Sequence, residues 1–204
     1  MKKLLVEFMG TFFLVLVVTL SGNPVAIGFI LAAMVYMGGY ISGAHYNPAV
    51  TLGLWVSKKM SGKDAIQYMA SQLLGGLAAS GVYAFIKKDF FLPAPAPGVS
   101  WMTAFVVEAL FTFALVSVVH HVAATEKTKG NEYYGLAIGM TLLAAATAGG
   151  PLSGGAFNPA VGVAPLMFDL SHLASHLGNI FLYVAGPLTG GAMAGWVYTR
   201  MKNI

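Results

Sequence analysis

Two copies of an Asn-Pro-Ala tripeptide are the residues of this sequence best suited to act on a solute. The copies are Asn47-Pro48-Ala49 and, roughly half a chain later, Asn158-Pro159-Ala160. In each copy the asparagine is a good N-cap, and the proline suits the first helical position, where its missing N–H costs no hydrogen bond. The capping side chain also carries amide N–H donors that can bind a passing polar molecule. The tripeptides therefore predict two helix starts with polar tips.

The apolar run after each tripeptide is too short to cross a membrane. The runs cover residues 49–56 and 160–168, whereas a spanning helix needs roughly 20 apolar residues. We therefore predict two half-helices that enter the membrane and stop inside it. Glycine-rich segments at 38–43 and 149–154 precede them, and non-helical backbone at membrane depth is tolerated where it lines a water-filled cavity. The carbonyls expected to line such a path are those of Gly43, Ala44, His45, Ser153, Gly154 and Gly155.

Composition places the chain in a membrane. Of its 204 residues 57% are hydrophobic and 9% are charged, which is far from the average of soluble domains. The net charge of +4 is spread between apolar runs, which argues against nucleic-acid binding. There is no cysteine, so disulfides and thiolate metal sites are excluded. The N-terminus resembles a signal peptide, but Glu7 within its apolar run favours a retained first span.

Six apolar runs are long enough to cross, at about 4–21, 24–42, 64–86, 101–123, 133–149 and 176–199. Because lipid offers the backbone no hydrogen-bonding partner, all six are expected to be helices. Positive residues collect on the side of the membrane that faces the cytoplasm. If six spans alternate, nine of the eleven lysines and arginines share the side of both termini, which predicts cytoplasmic termini in the plasma (inner) membrane. These nine are Lys2, Lys3, Lys58, Lys59, Lys63, Lys127, Lys129, Arg200 and Lys202.

The two halves of the chain repeat each other. Residues 6–13 match residues 107–113, with Glu7 and Glu108 in register, so we expect one channel domain, 1–204, built from repeats at about 1–88 and 101–204. Each repeat has three spans and one half-helix. Because three is odd, the second repeat starts from the opposite face and is inverted. The two half-helices then meet near the midplane, where their positive N-terminal ends repel cations and protons.

These features resemble the major intrinsic protein family, the aquaporins and glycerol facilitators, over essentially the whole chain. The resemblance rests on both Asn-Pro-Ala tripeptides, the Glu-x-x-x-Thr pattern starting at Glu7 and Glu108, and residues 38–51. It implies an all-α membrane protein of six transmembrane helices and two re-entrant half-helices, usually a homotetramer with one pore per subunit. It also implies a non-enzymatic channel for water or small neutral solutes, without catalytic residues or a cofactor. By the same resemblance the two glutamates are buried supports that accept hydrogen bonds from the pore loops.

The sequence departs from this family at the outer filter. Most members have arginine three residues after the second asparagine, where this chain has Val161 followed by Gly162. The family spacing assigns the other filter positions to Ile27, Ala146 and Gly155, so the usual aromatic, histidine and arginine are all missing. We expect a wide apolar filter that passes glycerol, urea, ammonia or undissociated metalloid acids as well as water. A second expectation is weaker exclusion of cations.

Three other functions remain to be weighed. A water-selective aquaporin is the nearest alternative. A secondary transporter also uses inverted repeats and broken helices, but the intramembrane carboxylates Glu7 and Glu108 stand at span starts rather than beside Asn47 and Asn158. We favour structural support over proton relay for these glutamates, because a carboxylate in a membrane is costly unless partnered. A membrane enzyme lacks a converging nucleophile, base and orienting acid.

Histidines suggest two further sites. His172 and His176 are spaced i, i+4 with Asp169 nearby, which is compatible with a metal site on one helical face; an interfacial helix start is the better interpretation. His45 lies in the first pore loop and could gate the path by protonation. A packing role beside the carbonyl track is the favoured hypothesis for His45.

Overall fold

The computed structural model describes residues 1–201, and all regular secondary structure within that range is helical. Two single-turn 3₁₀ helices, Glu126–Thr128 and Leu170–His172, lie in the connections. Lys202, counted above in the charge distribution, lies outside the described residues. The α-helices of residues 1–201 are α1 (Lys2–Ser21), α2 (Pro24–Ser42), α3 (Pro48–Val56), α4 (Gly62–Lys87), α5 (Trp101–Ala123), α6 (Tyr134–Ser153), α7 (Pro159–Phe168) and α8 (Leu173–Met201).

The predicted six spans and two half-helices are confirmed. Six helices of residues 1–201 are long and apolar enough to cross a membrane, namely α1, α2, α4, α5, α6 and α8. The short helices α3 and α7 have 9 and 10 residues. The ends differ from the sequence prediction by a few residues, most at α6, which continues to Ser153 rather than stopping at 149.

Polar residues and proline determine where the helices begin. Asn23 precedes Pro24, and its side chain accepts hydrogen bonds from the backbone N–H groups of Val25 and Ala26. Ser61 caps α4 and Ser100 caps α5 in the same way. Each of these bonds satisfies an N–H group that has no partner within its helix.

One prediction about the loops is wrong. The glycine-rich segment 149–154 was expected to be a non-helical approach, but α6 continues to Ser153; the matching segment 38–43 is helical to Ser42, as the predicted span 24–42 requires. A helix pairs its own carbonyls, and this is the cheapest arrangement at membrane depth. The helices end only where Gly43 and Gly154 adopt left-handed φ angles of 90° and 89°, which glycine does without steric cost. The non-helical backbone leading into the half-helices is thus limited to residues 43–47 and 154–158.

Adjacent glycines allow the helices to pack closely in both halves. A Cβ on Gly75 of α4 would lie 2.5 Å from the Phe8 carbonyl oxygen of α1, and one on Gly190 of α8 would overlap the Ala109 carbonyl oxygen of α5. The following glycines face the half-helix of the opposite repeat, Gly76 against Ala160 and Gly191 against Ala49. Small residues at helix contacts are how membrane bundles bring backbones together. Each half-helix is therefore held by the other repeat.

Candidate functional site

The two half-helices meet through their asparagines. Asn47 Oδ1 accepts from the Ala49 N–H at 2.8 Å, and Asn158 Oδ1 accepts from the Ala160 N–H at 2.9 Å. Each side-chain nitrogen crosses to the other repeat, so that Asn47 Nδ2 donates to the Phe157 carbonyl and Asn158 Nδ2 to the Tyr46 carbonyl, both at 2.9 Å. An asparagine amide has two N–H donors. One donor on each side chain is thus used in the crossing bond, and the second makes no hydrogen bond within the described residues.

The loops that lead into the half-helices share one unusual backbone pattern. Three residues of each loop have positive φ angles, with values of 90°, 52° and 52° for Gly43, Ala44 and Tyr46, and of 89°, 69° and 49° for Gly154, Gly155 and Phe157. Such a conformation costs a non-glycine residue about 1–3 kcal/mol and persists only where the surroundings impose it. The loops are therefore held in place by contacts from elsewhere in the bundle.

Glu7 is the anchor of the first loop. Its side chain is fully buried. Oε1 accepts from the Ser42 hydroxyl at 2.7 Å and from the His45 N–H at 3.0 Å. Oε2 accepts from the Tyr46 N–H and from Gln72 Nε2, both at 2.8 Å. These four donors satisfy the carboxylate oxygens and fix the loop against α1.

Glu108 makes the matching contacts to the second loop. Its Oε1 accepts from the Ser153 hydroxyl at 2.7 Å and from the Ala156 N–H at 3.0 Å, and its Oε2 accepts from the Phe157 N–H at 2.6 Å. The residue is fully buried. No counterpart of Gln72 reaches it among the described residues, so the two anchors differ by one donor.

Sequence reasoning missed three polar residues that complete this site. Gln72 of α4 bridges Glu7 and Thr51, and it is the buried amide of an otherwise apolar span. Tyr68 donates to the Ser42 carbonyl at 2.8 Å, and Tyr183 donates to the Ser153 carbonyl at 2.7 Å. Polar side chains in the middle of the spans were the signal that could have identified them.

The Ser153 carbonyl differs from the other carbonyls predicted to line the path. Ser153 is fully buried and its carbonyl oxygen accepts the hydroxyl of Tyr183, so it is bound within the protein. By contrast, Gly43 and His45 line one cavity, and Gly154 and Gly155 line another. Ala44, which lies between Gly43 and His45 in the sequence, is buried.

The two half-pores differ in polarity. His45 Nδ1 lies 3.1 Å from Thr51 Oγ1, and Gln72 Nε2 donates to the same hydroxyl at 3.0 Å. At the matching positions the second repeat has Ala156, two residues before its asparagine, and Gly162, four residues after it. At these two positions the surroundings of the first pore loop are therefore polar, and those of the second pore loop are apolar.

An outer cavity of about 390 Å³ opens on the side opposite the termini. Ile27 of α2, Ala146 of α6 and Gly155 of the second loop all line it, so three of the four predicted filter positions are brought together. Val161, the fourth, is 4% exposed in the first turns of α7 and is not among the lining residues. The complete lining is Val18, Gly22, Pro24, Ile27, Phe91, Ala146, Thr147, Gly150, Pro151, Gly154 and Gly155, with no charged side chain.

An inner cavity of about 460 Å³ opens on the side of the termini. It is lined by His45 and Tyr68 close to the first loop and by Lys3, Lys59 and Asp64 further out. Lys59 is held in place, because its Nζ donates to the Ala124 carbonyl at 2.6 Å. The two cavities thus differ in charge, because charged side chains line the inner cavity and none lines the outer one.

The histidines after α7 contact a carboxylate rather than surround an empty site. His172 Nδ1 and His176 Nε2 lie 3.1 Å and 3.0 Å from Asp169 Oδ2. Hydrogen bonds from Ser171 and His176 lower the pKa of the Asp169 carboxyl to about 2. Within residues 1–201 no group of three or more histidine, aspartate or glutamate side chains is arranged to hold a metal ion.

Comparison with known proteins identifies the family. A family model described as Major intrinsic protein matches residues 1–198. The chain belongs to the major intrinsic protein family. Among its relatives, Aquaporin AqpM of Methanothermobacter thermautotrophicus is 34% identical over 99% of this chain and 98% of its own length. Nodulin-26 of Glycine max is 31% identical over 99% of this chain and 78% of its own length.

A solved structure of the major intrinsic protein family has the same fold. The X-ray structure of the aquaglyceroporin from Plasmodium falciparum superposes with a TM-score of 0.81 at 22% identity, covering 98% of this chain and 96% of that one. The chain is thus an integral, multi-pass, aquaporin-like channel protein and not an enzyme.

Proposed function

We propose that this chain is a passive channel for water and small uncharged solutes, with an outer filter wide and apolar enough for glycerol, urea, ammonia or undissociated metalloid acids. The observation that carries the proposal is the uncharged outer cavity, which is lined by the predicted filter residues Ile27, Ala146 and Gly155. Val161 adds no charge at the fourth position.

The lining of the outer cavity suits a solute that is partly apolar. Ile27 and Ala146 offer C–H surface, and backbone carbonyls near Gly154 and Gly155 offer acceptors. Selectivity in such pores depends on pore diameter, on the hydrogen-bonding groups that line the pore, and on electrostatic barriers. A polyol or urea can place its O–H or N–H groups on the carbonyls and its remaining surface on the side chains.

The exclusion of ions is assigned to the two helix ends. The N-termini of α3 and α7 approach each other through Asn47 and Asn158, and each end carries roughly half an elementary positive charge. The carboxylates of Glu7 and Glu108 are fully buried and bonded to the N–H groups of the loops, so they are not exposed to a passing cation.

Proteoliposomes containing the protein are expected to shrink and then reswell when mixed with hyperosmotic glycerol or urea. Stopped-flow light scattering measures both phases. Val161→Arg adds a positive, hydrogen-bonding side chain at the fourth filter position and is expected to slow glycerol entry more than water exit. If the unmodified protein passes water and excludes glycerol and urea, the wide filter is ruled out and the chain is a water-selective channel.

A slow proton leak through the unmodified pore is a second expectation, because only the helix ends oppose protons here. Val161→Arg should reduce it. A pH-sensitive dye inside the vesicles, with an imposed pH step and valinomycin to collapse the potential, measures the rate. Equal, near-zero rates for both proteins would show that the helix ends are a sufficient barrier.

We also infer the membrane location of the channel, the orientation of its termini and its oligomeric state. Both termini are assigned to the cytoplasmic side of the plasma (inner) membrane, because eight of the ten lysines and arginines within residues 1–201 lie on the side of the termini. A homotetramer in lipid, with one pore per subunit, is proposed from family membership. Reporter fusions at the C-terminus and the mass of the purified complex check these two assignments.

A further inference from the structure

One aromatic side chain, Phe91, lies among the lining residues of the outer cavity. It comes from the connection between α4 and α5, residues 88–100, and not from any membrane-crossing helix. Every other lining residue is a small or aliphatic residue, a proline, or Thr147, whose hydroxyl is already bonded to the Leu143 carbonyl. Phe91 is thus the bulkiest side chain that lines the outer cavity.

The connection that carries Phe91 is fastened to the pore structure. The Ala96 N–H donates to the Leu152 carbonyl of α6 at 3.0 Å, and the Val99 N–H closes a turn on Ala96 at 3.0 Å. The Ala94 carbonyl oxygen lies so close to Gly154 that a Cβ there would be 2.7 Å away. The segment is therefore joined to the end of α6 and to the loop that leads to the second asparagine.

Three prolines stiffen the same segment, at positions 93, 95 and 97. Each fixes its own φ angle and restricts the residue before it. Pro93 is buried. The prolines and the buried Pro93 already restrict the backbone next to Phe91. Holding the Phe91 side chain in one position therefore costs little additional conformational entropy.

The ring of Phe91 is supported from the side of α4. It packs edge-on against Tyr83, with ring centroids 6.2 Å apart and planes at 76°. The residue is half-buried and packs on the hydrophobic core. One part of the ring therefore contacts the bundle, and the remainder borders the cavity shared with Ile27, Ala146 and Gly155.

We propose that Phe91 is a specificity-determining residue of the outer filter. Its ring forms an aromatic wall at the outer opening of the pore, where the lining helices contribute no aromatic side chain. The ring limits the size of the solutes that pass from the outer cavity into the pore. It also offers a flat apolar face to the C–H surface of a polyol while the loop carbonyls bind its hydroxyl groups. This proposal rests on the channel function proposed above.

The matched control is Phe90. It neighbours Phe91 on the same segment, but it is 41% exposed, faces Phe168 at 6.4 Å between ring centroids, and does not line the outer cavity. Removing either ring deletes the same amount of aromatic surface from the same connection. A loss of loop rigidity or stability would therefore affect both variants, whereas a change in the filter would affect Phe91 alone.

Permeability is measured by stopped-flow light scattering on proteoliposomes for water, urea, glycerol and a four-carbon polyol, with each rate divided by that of water. Phe91→Ala is expected to raise the permeability of the four-carbon polyol relative to water by about tenfold. This is the lower end of the discrimination that a single methylene group produces in an enclosed apolar pocket. Phe91→Trp should lower the glycerol and polyol ratios, and Phe90→Ala should leave the series as in the unmodified protein. The opposite direction of the tryptophan variant keeps the test informative if the alanine variant does not fold.

Different results overturn the two proposals. If the Phe91 variants keep the unmodified solute series, or if Phe90→Ala shifts it equally, Phe91 is not a filter residue. If the unmodified protein passes water alone, the wide filter is rejected. In that case entry of urea through Phe91→Ala alone still supports the role of Phe91, and its absence overturns that role as well.

Discussion

Replacing Glu108 with alanine is expected to unfold the second pore loop and to abolish solute flux. The carboxylate accepts three hydrogen bonds, from the Ser153 hydroxyl and from the N–H groups of Ala156 and Phe157. Each donor left unpaired in a buried site costs about 1–3 kcal/mol. A loss of several kcal/mol is a large share of the roughly 5–15 kcal/mol that keeps a typical protein folded.

The effect should reach the pore because the second loop also accepts one of the two hydrogen bonds that join the half-helices. The Phe157 carbonyl accepts Asn47 Nδ2 at 2.9 Å, so a displaced loop removes a partner from the opposite repeat. Glu108→Gln should be milder, because the amide keeps one acceptor oxygen for the loop. It should still destabilise the loop, because its NH₂ group then faces a donor.

Glu132→Ala is the control for the loss of a carboxylate. Glu132 is exposed, and its side chain makes no hydrogen bond within residues 1–201, so its removal should change stability by no more than about 0.5 kcal/mol. The apparent unfolding midpoint in detergent and the water permeability of proteoliposomes are the two readouts. Full flux in Glu108→Ala would mean that the loop holds its shape without its anchor.

Gly191→Ala is expected to destabilise the protein strongly, although it adds only one methyl group. The new Cβ would overlap the Ala49 carbonyl oxygen and lie 2.9 Å from its carbon. Both atoms are backbone of α3, so no side chain can rotate away. Overpacking of this kind costs typically about 1–3 kcal/mol. Because Ala49 follows Pro48 directly, moving α3 also displaces the tip that carries Asn47.

A glycine-to-alanine substitution elsewhere on α8 should raise the stability of the protein rather than lower it. Nothing lies within 4 Å of a Cβ placed on Gly178, and alanine is favoured over glycine in a helix by about 1 kcal/mol. Gly178→Ala should thus raise the unfolding midpoint slightly while Gly191→Ala lowers it and reduces flux. Equal midpoints for the two variants would contradict the close approach of α8 to α3.

Much of the architecture was accessible from the sequence because it depends on local rules. Run lengths distinguished six spans from two half-helices, and the pairs Asn47-Pro48 and Asn158-Pro159 marked where the half-helices begin. The odd number of spans per repeat implied the inversion. The segment 150–153 was misjudged as non-helical, because glycine and proline lower helix propensity in water, whereas a membrane leaves the backbone no better partner than its own helix.

The site itself was only partly accessible. The family spacing indicated Ile27, Ala146 and Gly155, and the structure brings these residues to one cavity. Neither spacing nor composition indicated Phe91, because it belongs to a connecting loop whose path depends on a single backbone bond to Leu152 and on contact with Gly154. Gln72 was missed because its partners, Glu7 and Thr51, come from other parts of the chain.

The sequence by itself determined the helices of this protein, their number, their inversion and the polar tips of the two short ones, because hydrophobic length, capping and proline act over a few neighbouring residues. Only the tertiary structure decided which residues face the pore. In a membrane bundle the lipid-facing and the inward-facing sides of a helix are both apolar, so polarity along the sequence does not separate them. The crossing bonds of Asn47 and Asn158, the anchoring by Glu7 and Glu108 and the position of Phe91 all join segments distant in the chain.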